Sequence, residues 1–328
     1  MPANLPPPYH EAERRLRQAR LPEEKLAVLE EMMAIIPKHK GTDKLQADLK
    51  RKIAKLKALM RESPKGKSRR DDLSVEFQGG GRVCLVGPPN AGKSSLLAAL
   101  TEARPTVGPY PFSTQKPSPG MMPVEDVAIQ LIDLPPVVRD ATPGWIGSLT
   151  RTADLVLIVL SLQDDTLLEQ CESTIYELER LKIWTRPLDR ELNIGEILIP
   201  GIIAAHQCDG PDAGAAYDLL VELVDNRWPV RCSSVHREDL LDELRSFLWQ
   251  SLKRIRVYTK APGRDPDYSD PIILPKDATV SDAALEIHRD LAKNLKYAKI
   301  WGSAKFPGQS VPKDYVLIDR DVVEFHEG

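Results

Sequence analysis

Residues 87–94 read Gly87-Pro88-Pro89-Asn90-Ala91-Gly92-Lys93-Ser94, a G-x-x-x-x-G-K-[ST] segment between an apolar run at 83–86 and a helix-like run at 95–100. A strand before and a helix after is the setting in which this spacing closes on phosphate. The glycines let main-chain N–H groups turn inward as an anion nest at the positive end of the following helix. Lys93 is then placed to reach the outer phosphates of a nucleotide, and the Ser94 hydroxyl to ligate Mg²⁺. The loop residues expected around the phosphates are Pro89, Asn90, Ala91, Gly92, Lys93, Ser94 and Ser95.

Such a loop needs a sheet to hang from, and the flanking sequence supplies one. Short apolar runs at 83–86, 127–132, 155–160 and 202–205 alternate with segments able to form helices. This pattern predicts an α/β domain: a mostly parallel sheet with helices on both faces. The run at 127–132 ends in Asp133, where a carboxylate at the strand's carboxyl end holds Mg²⁺ through water. Asp209, just beyond 202–205, is the predicted base reader, because a carboxylate accepts both the ring N–H and the exocyclic amino group of guanine. Adenine lacks that donor pair, so GTP or GDP is favoured, with ATP kept as an alternative. Ser233 and Ser234, after the apolar residues 228–230, are expected to close the base pocket with backbone donors.

A chain of 328 residues exceeds one typical domain of roughly 100–200 residues. Leu16, Leu21, Leu26, Leu29, Met32, Met33 and Ile36 fall on one helical face, and Leu45, Leu49, Ile53, Leu56 and Met60 on another. They predict a helical hairpin at the front, bounded by a Pro- and Gly-containing linker. After about residue 252 the pattern changes to strand, strand, helix (281–295), strand, strand, so the expected domains are 1–72, 73–254 and 255–328.

Net charge is −3, which gives no global pull towards nucleic acid, yet in residues 38–70 lysines and arginines far outnumber Asp43, Asp48 and Glu62. A basic helical arm either concentrates phosphate binding or is a solvated helix face. Cys84, Cys171, Cys208 and Cys232 are widely spaced, a pattern of reduced structural thiols without a zinc or disulfide framework. No run approaches the roughly 18 apolar residues that span a bilayer, and the polar start lacks a secretory core. A cytoplasmic location without membrane attachment is expected.

On these residues the chain resembles the Obg-related GTPases, most closely the developmentally regulated GTP-binding proteins with a C-terminal TGS domain. The resemblance runs over the basic front, residues 87–95, Tyr110-Pro111-Phe112-Ser113-Thr114, Arg151-Thr152-Ala153-Asp154, Val257-Tyr258-Thr259-Lys260, Ile287-His288-Arg289 and Lys296-Tyr297-Ala298-Lys299-Ile300-Trp301-Gly302. It implies a TGS domain of β-grasp, ubiquitin-like fold over 255–328. It further implies that Thr114 is the first-switch threonine meeting Mg²⁺ and the γ-phosphate. Asn90 matches an asparagine that in relatives helps hold a K⁺ ion as a fixed positive charge. Slow hydrolysis, accelerated by K⁺ or a small regulatory protein, and docking on RNA or the ribosome through the basic front and the TGS domain are also implied.

Three departures matter. Family members read D-x-P-G after the Mg²⁺ strand, where this chain has Asp133-Leu134-Pro135-Pro136. Proline has no N–H, and the lost bond to the γ-phosphate is worth about 1.5–3 kcal/mol, which predicts poorer discrimination of GTP from GDP. The glycine-rich second switch is replaced by residues 137–148, with Pro143 and Trp145. The base-reading N-K-x-D becomes His206-Gln207-Cys208-Asp209. Asp209 keeps the main guanine contact, His206 is expected at the base edge, and Gln207 over the ring. Two functions remain open: a slow regulatory GTPase, or a degenerate one serving as an RNA- or protein-binding module.

Overall fold

The computed structural model describes residues 6–18, 22–36, 42–62, 75–101 and 116–327. Three helices come first: α1 (Pro7–Gln18), α2 (Pro22–Ile35) and α3 (Asp43–Glu62). They meet over Tyr9, Ala12, Leu29, Met32, Ile36 and Leu49, and Ile194 from the central domain packs on the same cluster. The expected hairpin is thus a three-helix unit, with Leu16 in α1 and Leu26 in α2. Pro22 explains the break: proline cannot donate to a preceding turn but readily opens a new helix. Leu21 and much of the basic stretch, 37–41 and 63–70, lie outside the described residues.

The central domain runs β1 (Arg82–Val86), α4 (Lys93–Leu100), β2 (Ser118–Val124), β3 (Val127–Asp133), α5 (Gly144–Thr150), β4 (Leu155–Ser161) and α6 (Leu167–Arg180). A small pair, β5 (Ile183–Trp184) and β6 (Ile197–Leu198), precedes β7 (Gly201–His206), α7 (Ala213–Val224), β8 (Val230–Ser233) and α8 (Glu238–Leu252). Six strands form one sheet in the order β2-β3-β1-β4-β7-β8, parallel throughout except where β2 runs antiparallel to β3. Successive residues of β1 serve opposite faces. Val83 and Leu85 join Leu96, Leu97, Leu244 and Leu248 from α4 and α8, whereas Cys84 and Val86 join Ile146, Leu178 and Leu220 from α5, α6 and α7. Burial on both faces is why these strands read as unbroken apolar runs.

β2 was not legible as a strand because Pro119, Gly120 and Pro123 interrupt it. It sits at the sheet edge, where a missing N–H can face outward.

The C-terminal domain comprises β9 (Arg254–Thr259), β10 (Asp267–Pro275), α9 (Val280–Ile287), α10 (Arg289–Asn294), β11 (Leu295–Trp301), β12 (Gln309–Val311) and β13 (Asp321–Glu327). Its sheet order is β10-β9-β13-β11-β12, with β13 parallel to β9, a β-grasp. The helix expected over 281–295 breaks at His288, whose backbone is extended, and Leu295 already belongs to β11. Thr279 and Asp282 form a capping box at the start of α9. Val316, ahead of β13, makes an isolated bridge to Thr279.

A buried arginine fastens this domain to the central sheet. Arg256 on β9 is 4% exposed and forks onto Asp319 at 2.6 and 3.1 Å. It also reaches Asp126 at 2.9 Å and Glu125, both in the β2–β3 turn, with Trp249 beneath its guanidinium. Arg320 bonds Glu125 at 2.6 Å, and the Tyr258 hydroxyl donates to Asp126. The hydrogen bond from Arg256 is the main cause holding Glu125 below the usual carboxylate range. Burial pulls Asp126 and Asp319 upward, but hydrogen bonds from Tyr258 and Arg256 outweigh it.

Removing Arg256 takes hydrogen bonds from three carboxylates that solvent still reaches, so Arg256→Met is expected to lower unfolding stability by about 1.5–3 kcal/mol in urea titration. Depressed folded pKa values mean stabilisation present above the unfolded values near ~4 and lost as pH falls through the folded ones. The variant should therefore lack that part of the wild type's acid-side decline; equal decline in both would refute the role of the clamp.

Candidate nucleotide site

Residues 87–92 make a tight loop between β1 and α4. Asn90 and Gly92 are left-handed, with φ of 60° and 85°. Two close approaches require glycine. A Cβ on Gly87 would lie 2.3 Å from the Val159 carbonyl oxygen of β4, and one on Gly92 would lie 2.4 Å from Cδ2 of His206. Pro89, Asn90 and Ser95 are exposed, Gly92 and Ser94 half-buried, and Ala91 buried.

Lys93 is 6% exposed, and its Nζ donates to the carbonyls of Gly87 and Pro88 at 3.1 and 2.8 Å. Burial pushes its pKa down to about 8, with Asp133 partly offsetting this. Ser94 Oγ donates to Asp133 Oδ2 at 2.5 Å. Asp133 is 1% exposed and its Oδ1 is buried with no hydrogen-bond partner. Burial raises its pKa, with Ser94 and then Lys93 opposing the shift. The loop thus brings together a buried cation, a hydroxyl and a carboxylate with one oxygen unsatisfied. That oxygen and the Ser94 hydroxyl are hard donors of the kind Mg²⁺ takes, so the residues fit the ion.

Beyond Asp133 the chain folds back on the loop. The N–H of Leu134 donates to Leu85 at 3.2 Å and that of Val137 to Gly87 at 3.0 Å. Pro135 and Pro136 between them have no N–H to offer.

On the base side, His206 is 1% exposed, its ring under Gly92 and its Nδ1 3.1 Å from Ser233 Oγ. Burial lowers its pKa. Expected at the base edge, it instead lies inside, as a strut between the phosphate loop and β8. Gln207, expected over the ring, is left-handed at φ 62° and its Oε1 accepts from Ser161 at 2.5 Å. Asp209 is exposed, held below its ordinary pKa first by the Ser234 hydroxyl. Ser233 and Ser234 are buried; Ser233 O accepts from the Cys208 N–H at 3.3 Å and Ser234 Oγ from the His236 N–H at 3.1 Å. Both serines shape the loop that presents Asp209. Thr114 and the Tyr110 to Thr114 motif lie outside the described residues. Ser161 was missed from sequence because nothing local marks a strand-end serine as the partner of a residue 46 positions later.

Residues 82–188 match the family described as 50S ribosome-binding GTPase, and residues 255–327 match the TGS domain. GTP-binding protein 1 of Schizosaccharomyces pombe is 30% identical over 92% of this chain and 98% of its own length. Developmentally-regulated G-protein 2 of Arabidopsis thaliana is 30% identical over 92% of this chain and 90% of its own. Among solved structures, the YchF GTPase of Schizosaccharomyces pombe superposes with a TM-score of 0.50 at 13% identity, covering 76% of this chain and 99% of that one, a likeness of fold.

Gly92→Ala adds a left-handed strain of about 1–3 kcal/mol to the clash with His206. It is expected to lower the melting temperature and abolish binding of a fluorescent nucleotide. Adding His206→Ala should restore part of the melting loss, and no restoration would mean that the imidazole is not the obstacle.

Proposed function

The chain belongs to the family of developmentally regulated GTP-binding proteins, and from that premise we propose that it is a slow, Mg²⁺-dependent GTPase acting as a regulatory factor on RNA or the ribosome. The observation that carries this reading is the Ser94–Asp133 pair beside buried Lys93, with Asp133 Oδ1 unsatisfied. In this reading Ser94, Asp133 through water, and Thr114 hold Mg²⁺, which neutralises and orients the phosphate oxygens when bound. Main-chain N–H groups of residues 90–95 surround the phosphates. Lys93 exchanges the Gly87 and Pro88 carbonyls for phosphate oxygens, a better match for a buried ammonium. Asp209 takes the guanine edge, and His206, Ser233 and Ser234 hold its loop in place. Asn90, exposed and left-handed, is available to an accessory K⁺.

The basic front and the TGS domain are the surfaces assigned to RNA, with a small regulatory protein as an accelerating partner and the cytoplasm as the working compartment. No helix among the described residues is long and apolar enough to cross a membrane.

A second reading, a degenerate GTPase that serves as a binding module, is favoured by one observation. The proline that replaces the γ-phosphate-sensing glycine is followed by an N–H already bonded to Gly87. Discrimination of GTP from GDP then falls to other groups.

Competition titrations with GTP, GDP and ATP in Mg²⁺ and K⁺ buffers, followed by product analysis, separate the two. Lys93→Ala should abolish binding, and undiminished affinity would refute the site. Pro136→Gly should raise the GTP over GDP preference about tenfold or more, as expected for a bond to a charged group. RNA binding, if carried by the basic front, should weaken steeply with salt; a flat response would favour a merely solvated helix face.

A further inference from the structure

Helix α6 carries a carboxylate where its pattern calls for an apolar residue. Leu167, Cys171, Thr174 and Leu178 form its buried stripe, and Glu177, 0% exposed, lies among them. A buried carboxylate needs a cation and hydrogen bonds to be tolerated. Glu177 has both. Arg180 meets its two oxygens at 2.8 to 3.1 Å, and the main-chain N–H of Asp140 donates to it at 2.6 Å. Arg180 also donates to the Thr142 carbonyl at 2.9 Å.

Asp140 and Thr142 belong to the second-switch segment, where further hydrogen bonds hold the chain. Val137 donates to Gly87 at 3.0 Å and Ala141 to Val138 at 3.0 Å. The Val138 N–H donates to the Thr142 hydroxyl at 3.1 Å, which returns a bond to the Val138 carbonyl at 2.9 Å. The Tyr176 hydroxyl reaches Asp140 at 3.4 Å, and Arg139 lies over the Tyr176 ring.

We propose that residues 137–142 are fastened to α6 by Glu177 and to the phosphate loop by Val137, and keep one conformation whether GDP or GTP is bound. The proposal deepens the nucleotide reading and rests on it. A ligand moves a two-state element only by the difference in its interactions with the two states. Here the γ-phosphate finds no N–H at Pro136, and the next one is spent on Gly87. Opening the segment would cost Glu177 its bond from the Asp140 N–H and Arg180 its bond to the Thr142 carbonyl. Nucleotide state must therefore leave the site by another route, and a partner seated on α6 and this segment meets the same surface in both states.

Hydrogen–deuterium exchange on the full chain tests this, in the free form, with GDP, and with a non-hydrolysable GTP analogue, occupancy being followed with a fluorescent nucleotide. Protection in residues 87–95 should rise with either nucleotide, while residues 134–143 exchange identically in both. Glu177→Gln should speed exchange in 137–142 about tenfold or more while changing nucleotide affinity less than twofold. Arg180→Gln, at a partly exposed partner, serves as the second variant and should act in the same direction. A difference between GDP and the analogue in 134–143, or wild-type exchange in both variants, overturns the proposal. If neither nucleotide occupies the site, the functional reading fails, and the variants alone decide the fastening: faster exchange supports it and unchanged exchange overturns it.

Discussion

Two absent Cβ atoms hold the site together. At Gly87 the phosphate loop meets the backbone of β4, and at Gly92 it meets the imidazole of His206 at the end of β7. These contacts draw the carboxyl ends of β1, β4 and β7 around one loop. The left-handed turn at Gly92 caps α4, so the helix opens directly out of the loop.

Around that loop the protein uses buried charge to fix geometry. Lys93, Asp133, Glu177 and Arg256 are each at most 6% exposed, and each answers to a named partner. Burial shifts Lys93 down and Asp133 up, the signs expected when desolvation leads. At Asp133 one oxygen, Oδ1, is left without a partner. Glu177 and Arg256 are fully paired. Their partners are within the chain, and they act as fasteners, one for the segment after β3 and one for the β-grasp domain.

The β2–β3 hairpin links these parts. Its turn is gripped by Arg256 and Arg320, and its second strand ends in Asp133. The TGS domain is thereby joined through one short strand to Asp133. An amphipathic helix with a carboxylate in its apolar stripe was the available sequence signal for the other fastener. It can be read from the spacing of Leu167, Cys171, Thr174 and Leu178, with Glu177 falling on the same face.

Local conformation and strand burial were legible in the amino-acid order. The glycines and lysine of 87–94 specify a loop that only one backbone path satisfies, and the apolar runs announce a parallel sheet because strands covered on both faces cannot alternate. Pro22 and Pro119 misled the reading, since proline's missing N–H ends one helix or marks an edge strand according to what lies beside it. What only the tertiary structure decided was which polar side chain meets which partner: His206 with Gly92 and Ser233, Gln207 with Ser161, Arg256 with Glu125 131 residues away. Such pairs lie on different elements, and their energies depend on desolvation and angle. Those quantities exist only once the sheets and helices have packed.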